Sequence, residues 1–340
     1  MRILIIGANG FIGNWLVRRL LNTTDWEVVG LDLHQHNLNQ AKDGCLAHPR
    51  FRFQQVDILQ DHGTVEKEIE KSDIIIPLAA IANPKIYVED PLRVFRLDFE
   101  ANVQIVKWCH KYKKRLTFPS TSEVYGKCSD LVFDEDNSDL VVGPINKTRW
   151  IYSTCKQLLD RVIYAYGEKE GLAYTLFRPF NWMGPRLDDI NTTQEGGARA
   201  FTQFLSNAIN GRDIHLVNGG TQRRAFIYID DAIEALIKIL RNENNVADKE
   251  IFNIGNPAND HSIKELAEII LEETKSFPAS LQKAQDCSIV LTKSESYFGN
   301  QYQDVDKRVP SIIKAQTLLQ WAPHTSLREG VKRSLDFYLN

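Results

Sequence analysis

Tyr152 and Lys156 stand four residues apart in a segment, Tyr152–Glu170, whose apolar spacing predicts a helix, so the two side chains share one face. A lysine ammonium beside a phenol favours the phenolate and lowers the tyrosine pKa. A phenol so tuned takes a proton from a hydroxyl while hydride leaves the same carbon. The bland alternative is a tyrosine packed on a lysine stem, a frequent coincidence on helices. A second set of reactive residues lies in Phe118-Pro119-Ser120-Thr121-Ser122-Glu123-Val124-Tyr125-Gly126, directly after a predicted strand at Leu116–Phe118. Strand ends at the carboxyl edge of a parallel sheet are where ligands bind. The Thr121 and Ser122 hydroxyls there suit a reacting oxygen, and the Glu123 carboxylate suits acid–base work.

A third constellation opens the chain. Gly7-Ala8-Asn9-Gly10-Phe11-Ile12-Gly13 follows a predicted strand, Ile3–Ile6, and begins a predicted helix, Phe11–Leu21. Gly7, Gly10 and Gly13 permit a tight turn and close approach of a pyrophosphate, and the helix N-terminus supplies N–H groups and partial positive charge. Phe11 and Ile12 carry those N–H groups. Asp32 ends the second predicted strand about 20 residues further on, where a carboxylate binds ribose hydroxyls and repels a 2′-phosphate. The cofactor expected is therefore NAD rather than NADP. Asp57 and Ile58, after the third strand, are expected to meet the adenine.

The elements that must hold these residues alternate. Ile3–Ile6, Val28–Leu31, Phe51–Val56, Ile74–Leu78, Leu116–Phe118 and Ala173–Arg178 read as strands. Phe11–Leu21, Leu92–Tyr112 and Tyr152–Glu170 read as helices. This order predicts an α/β fold, a Rossmann-like doubly wound parallel sheet. After residue 180 come a long loop over Asn181–Gly197, helices at Ala198–Asn210, Ala232–Arg241 and Ile263–Thr274, and short strands at Ile214–Val217, Phe226–Ile229 and Ile251–Ile254. Thr317–Trp321 and Leu327–Tyr338 close the chain. The expected division is an NAD-binding domain over 1–180 and a smaller substrate lobe over 181–340, interleaved with the first.

Bulk properties narrow the class. The 340 residues carry 41 Lys and Arg against 44 Asp and Glu, a net charge of −3, which gives no sign of nucleic-acid or membrane-surface binding. Cys45, Cys109, Cys128, Cys155 and Cys287 form no C-x-x-C pair and read as free thiols in a reducing compartment. No metal cluster is expected, since His34 and His36 lack supporting ligands. No apolar stretch reaches the ~18 residues of a membrane span, and the N-terminus lacks the h-region of a signal peptide. A cytoplasmic location is expected.

Taken together, Gly7/Gly10/Gly13, Thr121-Ser122-Glu123 and Tyr152/Lys156 resemble the extended short-chain dehydrogenases/reductases that modify nucleotide sugars. Within them, Pro119–Gly126, Val142–Lys147 with Arg149-Trp150, Lys156–Arg161, Tyr166–Leu172, Leu176–Leu187 and Tyr302–Ser311 resemble the UDP-glucuronic acid decarboxylase domains of bifunctional polymyxin-resistance proteins. The run Phe177-Arg178-Pro179-Phe180-Asn181-Trp182-Met183-Gly184-Pro185-Arg186 is the most specific of these, and similar segments recur along the whole chain. The resemblance implies oxidation of a UDP-sugar at C4 by NAD with Tyr152 and Lys156, then loss of the C6 carboxylate as CO2 to leave a UDP-4-keto-pentose. It implies acid–base work for Glu123 and a proton-donor role for Arg308. Since arginine stays charged, holding the C6 carboxylate or an enolate suits Arg308 better.

The resemblance further implies sugar contacts for Thr121, Ser122, Ala82, Tyr87, Arg149, Asn181 and Tyr302, and a uridine diphosphate region over His215–Arg224, with Arg224 on the diphosphate. The bland alternatives are surface positions for Arg149 and Arg224 and a turn cap for Asn181, and without the resemblance Ala82 and Tyr87 would carry no functional reading. It also implies a homodimer through the helices at Leu92–Tyr112 and Tyr152–Glu170. The formyltransferase that precedes such domains has no counterpart here, so that activity is expected to be absent or on another chain.

Three related chemistries compete. UDP-xylose synthases share Ser122-Glu123-Val124-Tyr125-Gly126 and return the hydride to C4. UDP-apiose/xylose synthases carry cysteines where Ser122 and Ala82 stand. The 4,6-dehydratases favour Asp-Glu where Ser122-Glu123 stands. A non-catalytic NAD-binding scaffold would be expected to have lost Tyr152 or Lys156.

Overall fold

The computed structural model describes residues 1–40, 43–192, 197–278, 283–284, 286–293 and 303–340. Seven strands form one parallel sheet: β1 (Arg2–Ile6), β2 (Glu27–Asp32), β3 (Phe51–Gln55), β4 (Ile74–Pro77), β5 (Arg115–Pro119), β6 (Tyr174–Pro179) and β11 (Ile251–Ile254). Their spatial order is β11-β6-β5-β4-β1-β2-β3. The chain winds outward from β1 to β3, then crosses back to β4. The order therefore reverses between β1 and β4, and ligands bind at the carboxyl ends beside such a switch.

The alternation of side chains explains why these strands are almost wholly apolar. Ile3 and Ile5 enter one core, with Leu16 and Leu20 of α1 (Phe11–Thr23) and Leu236 and Ile239 of α8 (Ile229–Arg241). Leu4 and Ile6 enter the opposite core, with Val65 of α2 (His62–Lys71), Ile105 of α5 (Asn102–Lys111) and Leu159 of α6 (Trp150–Glu170). Both faces are covered, as a parallel sheet requires.

Between β4 and α5 lie two short helices, α3 (Pro84–Glu89) and α4 (Pro91–Val94), each started by a proline. The segment Phe95–Ala101 that joins α4 to α5 is π-helical. The regular helix expected over Leu92–Tyr112 is thus interrupted. The wider turn leaves backbone carbonyls to satisfy, and the Asn102 amide donates to Leu97 O at 3.1 Å and Asp98 O at 3.3 Å.

Beyond β6 the chain builds small sheets and helices on one side. β7 (Trp182–Met183) pairs with β10 (Ile227–Tyr228), and β8 (Ile214–Val217) with β13 (Ile289–Thr292). β9 (Arg223–Ala225) lies between β12 (Asp260–Ser262), antiparallel, and β14 (Lys307–Arg308), parallel. Helices α7 (Ala200–Asn210), α9 (Ile263–Lys275), α10 (Ile313–Leu319) and α11 (Leu327–Leu339) complete this side. The strand expected at Phe226–Ile229 shrinks to Ile227–Tyr228 because Ile229 already opens α8, with Asp230 and Asp231 in its first turn. α8 and β11 return to the main sheet, so residues after 180 supply its outermost strand and part of one helical cover. The helix α2 carried no expectation from periodicity; its sequence HGTVEKEIEK buries only Val65, Glu68 and Ile69.

Candidate active site

The glycine turn between β1 and α1 is built by close approach. Gly7 has φ +91°, and a Cβ there would lie 2.6 Å from Ala79 N. A Cβ on Gly13 would lie 2.2 Å from Gly7 O, so only glycine lets α1 seat against the turn. Gly10 caps α1 without a side chain, leaving the first turn open toward the groove that Phe11 and Ile12 also line. At the end of β2, Asp32 accepts the Asn9 N–H at 2.9 Å and the His34 N–H at 3.2 Å. Its carboxylate is thereby pinned beside the glycine turn.

Asp32, Asp57 and Ile58 line one continuous groove with Gly7 and Gly10. The far wall of this groove comes from Arg186–Asn191 and from Phe337 and Tyr338 of α11. Arg186 and Leu187 fall within the Leu176–Leu187 similarity but carried no cofactor expectation, and no local motif marks the others. Arg186 holds Asp43 at 2.6 Å, and the Tyr338 hydroxyl accepts the Arg186 N–H at 2.7 Å. A cradle that any Cβ would fill, with a carboxylate at its ribose end, fits an NAD dinucleotide.

The groove continues, through Gly7, Gly10, Phe11, Leu78, Ala80 and Leu187, into a cavity of about 440 Å³. Tyr152, Lys156, Thr121, Ser122, Glu123, Ala82, Tyr87, Asn181, Arg224 and Arg308 all line it, joined by His215, Val217 and Gln222. Arg149 reaches the same place by its contact with Glu123. Tyr302 lies outside the described residues.

Two elements bring Tyr152 and Glu123 together. The turn after β5, Ser122–Tyr125, is 3₁₀-helical and is capped by Thr121, whose hydroxyl accepts the Glu123 N–H at 3.2 Å. The Thr121 hydroxyl also hydrogen-bonds the Tyr152 phenol. The Tyr87 ring stacks on Tyr152 with centroids 4.8 Å apart and planes 9° from parallel. Lys156 Nζ donates to Pro119 O at 3.0 Å and lies 4.0 Å from the buried Asp98 carboxylate.

Burial, with the nearby carboxylates of Asp98 and Glu123, raises the Tyr152 pKa far above that of a free phenol. The sequence-based expectation of a phenol already lowered by Lys156 is therefore corrected for the chain alone. The Lys156 ammonium donates to Pro119 O and faces Asp98, lying 5.9 Å from the centroid of the Tyr152 ring, and desolvation dominates the phenol's proton affinity.

Glu123 sits between two guanidinium groups. Arg149 Nη2 is 2.7 Å from one carboxylate oxygen, and Arg308 Nη1 is 3.2 Å from the other. Burial opposes the charge, but Arg149 and Arg308 outweigh it and hold the carboxyl below the usual glutamate range. Arg149 and Arg224 are only 1% and 5% exposed, so neither is a surface residue. Arg224 and Arg308 are register partners on β9 and β14, and Arg224 pairs with Asp304 at 2.8 Å. Asn181 adopts φ +45° and donates its amide to Ala225 O at 3.4 Å.

Sequence reasoning missed Asp98, Asp304, Arg199, Phe201 and Phe204, all of which line the cavity or face its residues. Asp304 was legible only as part of the Tyr302–Ser311 similarity. Asp98 carried no signal, because its burial depends on the π-helical turn. Cys155 is a buried free thiol. Among the described residues no group of three or more His, Cys, Asp or Glu could hold a metal ion. No helix among them is long and apolar enough to cross a membrane.

A doubly wound parallel sheet, a glycine cradle with Asp32 at its end, and a Tyr-x-x-x-Lys pair on α6 define an NAD-dependent enzyme of the extended short-chain dehydrogenase/reductase type. Residues 3–255 match the model of the NAD dependent epimerase/dehydratase family, and the chain belongs to that family. Its structure is similar to the crystal structure of the PbgP3 protein from Burkholderia pseudomallei, with TM-score 0.89 and 48% identity over 99% of this chain and 96% of that one. It is also similar to UDP-glucuronic acid 4-epimerase from Bacillus cereus, solved with UDP-glucuronic acid and NAD, with TM-score 0.80 and 26% identity over 99% and 98% of the chains. The dTDP-glucose 4,6-dehydratase from Bacillus anthracis, solved with NAD, shares the fold, with TM-score 0.78 and 20% identity over 100% and 96%.

Proposed function

We propose that this enzyme oxidises UDP-glucuronic acid at C4 and decarboxylates it to a UDP-4-keto-pentose and CO2. The observation that carries the reading is the Arg149–Glu123–Arg308 cluster, in the same cavity as Tyr152 and Lys156. Two arginines converging beside the proton-transfer residues suit a sugar that bears a carboxylate. The Bacillus cereus enzyme solved with UDP-glucuronic acid lends support as a relative that takes this substrate.

NAD, held by the Gly7–Gly13 turn and Asp32, supplies a hydride acceptor. Tyr152 takes the C4 hydroxyl proton, and Thr121 orients the phenol. The Tyr152 pKa is raised in the chain alone, with Lys156 held nearby by Pro119 and Asp98, so the phenol would need the further positive charge that oxidised NAD would supply when bound. The C4 ketone that results is β to the C6 carboxylate. Electrons of the C5–C6 bond then flow into the carbonyl as CO2 leaves, and C5 regains a proton. Glu123, ionised between its arginines, is set to take up the proton that Tyr152 removed from the C4 hydroxyl and to pass it to C5. Arg308 is suited to hold the carboxylate before cleavage and the enolate after it. Arg224, Asn181 and the His215–Arg224 segment are assigned to the nucleotide and sugar. The pairing of two such chains through the segments Leu92–Tyr112 and Tyr152–Glu170, and the division into an NAD-binding and a substrate portion near residue 180, belong to the same proposal.

Incubation with UDP-glucuronic acid and NAD, followed by CO2, NADH and product mass, tests it. A UDP-4-keto-pentose with equivalent NADH is expected. A UDP-pentose without net NADH would reassign the protein to the xylose-synthase chemistry. An epimerised uronate with no CO2 would reassign it to the chemistry of the Bacillus cereus relative.

A further inference from the structure

Asp98 lies at the middle of the π-helical segment and is fully buried. Its Oδ2 accepts the Ile81 N–H at 3.0 Å. Its Oδ1 is buried without a hydrogen-bond partner among the described residues and faces Lys156 Nζ at 4.0 Å. A regular α-helix would carry residue 98 to a different azimuth; the wider turn, with its carbonyls taken up by Asn102, sets the carboxylate inward. One side chain thus touches both the lysine of the Tyr-x-x-x-Lys pair and the backbone of the segment Ile81–Tyr87. That segment carries Ala82 into the cavity and stacks Tyr87 on Tyr152.

Such a burial is costly unless it serves a charge. The groups that face Lys156 are Asp98 from the π-helical segment, Asp160 and Cys155 from its own helix, and Pro119 O with the Phe118 ring from β5. Asp160 is occupied by Ser120 at 2.8 Å and by Arg178 at 3.2 Å. Among the described residues Asp98 has no other cation beside it, and its carboxylate field also reaches Tyr152 and Tyr87.

We infer that Asp98 is a positioning residue of the reaction: it is the internal counter-ion that keeps Lys156 charged and in place beneath Tyr152, and it ties that lysine to the cavity segment at Ile81. The inference rests on the reading of Tyr152 and Lys156 as the hydride-transfer pair. Desolvation lifts the Asp98 carboxyl to about 6, so the counter-ion is present at neutral pH and is discharged just below it. Lys156 is pushed the other way by its burial, and Asp98 is the largest influence opposing that push.

Asp98→Asn keeps the shape and an acceptor for the Ile81 N–H while removing the charge. NADH formation from UDP-glucuronic acid, followed from roughly pH 5 to 9, should show wild-type kcat falling as the pH drops through about 6. The variant should lack that limb and run about tenfold or more slower at neutral pH, with its NAD dissociation constant within about threefold of wild type. Superimposable wild-type and variant profiles overturn the inference, as does a uniform loss of rate with the limb retained.

Thermal melting of Asp98→Asn, Lys156→Met and the double variant needs no substrate, so it separates this inference from the choice of reaction. If the two groups compensate each other, the double variant melts well above the sum of the single losses; additive losses overturn the pairing. Should Asp98→Asn fail to fold, recovery of a folded chain on adding Lys156→Met supports the pairing, and failure of both overturns it.

Discussion

A carboxylate caught between two guanidinium groups behaves differently from one in water. Glu123 keeps its charge although it is mostly buried, because Arg149 and Arg308 approach opposite oxygens. Glu123→Gln preserves the shape and removes the base. Its kcat is expected to fall by about 10²- to 10⁴-fold, with NAD affinity unchanged, as read by steady-state rates and fluorescence titration. Unchanged kcat would make Glu123 a purely structural anchor. Tyr152→Phe should abolish NADH formation while NAD still binds; residual turnover near wild type would remove the phenol from the chemistry. Arg308→Lys keeps a charge but loses the planar fork, and the affected quantity should be kcat more than KM, since the fork acts where charge moves. At this scale the sequence was most informative. Tyr152, Lys156, Thr121, Ser122 and Glu123 lie in contiguous motifs, and the structure brings them into one cavity. Asp98 was invisible because an isolated Asp in an amphipathic stretch reads as a solvated face.

Elements place those residues through a few close contacts. α1 approaches the β1 turn only because position 13 has no Cβ, which would meet Gly7 O at 2.2 Å. Gly13→Ala should therefore lower stability by ~1–3 kcal/mol, the range for overpacking a tight site. It should also raise the NAD dissociation constant, measured by calorimetric titration; wild-type affinity and melting would show that α1 can shift at no cost. The strands of the main sheet were legible because a doubly covered parallel strand must be apolar throughout, as Ile3–Ile6 and Ile74–Ile76 are. α2 was not legible, since its exposed face is nearly all charged and its buried one is three residues wide. The π-helical break was not legible either. The stretch Pro91-Leu92-Arg93-Val94 to Lys111 has helical periodicity on both sides of the break, and only packing against α6 decides where the extra residue falls.

Across the whole molecule, two sets of carboxylates carry opposite pH signatures. Asp98 and Glu135 are each lifted to about 6 by burial, and Asp160 is lifted as well. The native state takes up these protons before the unfolded chain does, so they add stability as pH falls from neutrality toward 5. Glu123 and Asp304 are held low by their arginines. Their contribution is complete above the ordinary carboxylate range and is lost as pH falls through their lowered values. The melting temperature is therefore expected to peak on the acid side of neutrality, near pH 5 to 6, and to drop steeply below about 4. Calorimetric scans from pH 3 to 8 check this; a melting temperature that climbs steadily from pH 5 to 8 contradicts it. Glu135→Gln should flatten the rise between neutrality and pH 5, because Glu135 accepts the Asn253 N–H at 2.7 Å within the buried network at the sheet edge.

What the linear chain determined by itself is the local chemistry: a glycine turn that only glycine permits, a carboxylate at a strand end, hydroxyl and acidic residues after β5, and a phenol and lysine one helical turn apart. Each follows from neighbours a few residues away. The tertiary structure alone decided which distant groups close the site. Arg308 and Arg224 meet on adjacent strands from positions more than eighty residues apart, and Phe337 joins the far wall of the cofactor groove. It also decided the proton affinities, because desolvation depends on what covers a side chain. Tyr152 illustrates the difference: its spacing from Lys156 suggested an easily ionised phenol, and its burial against Tyr87 and two carboxylates made it the reverse.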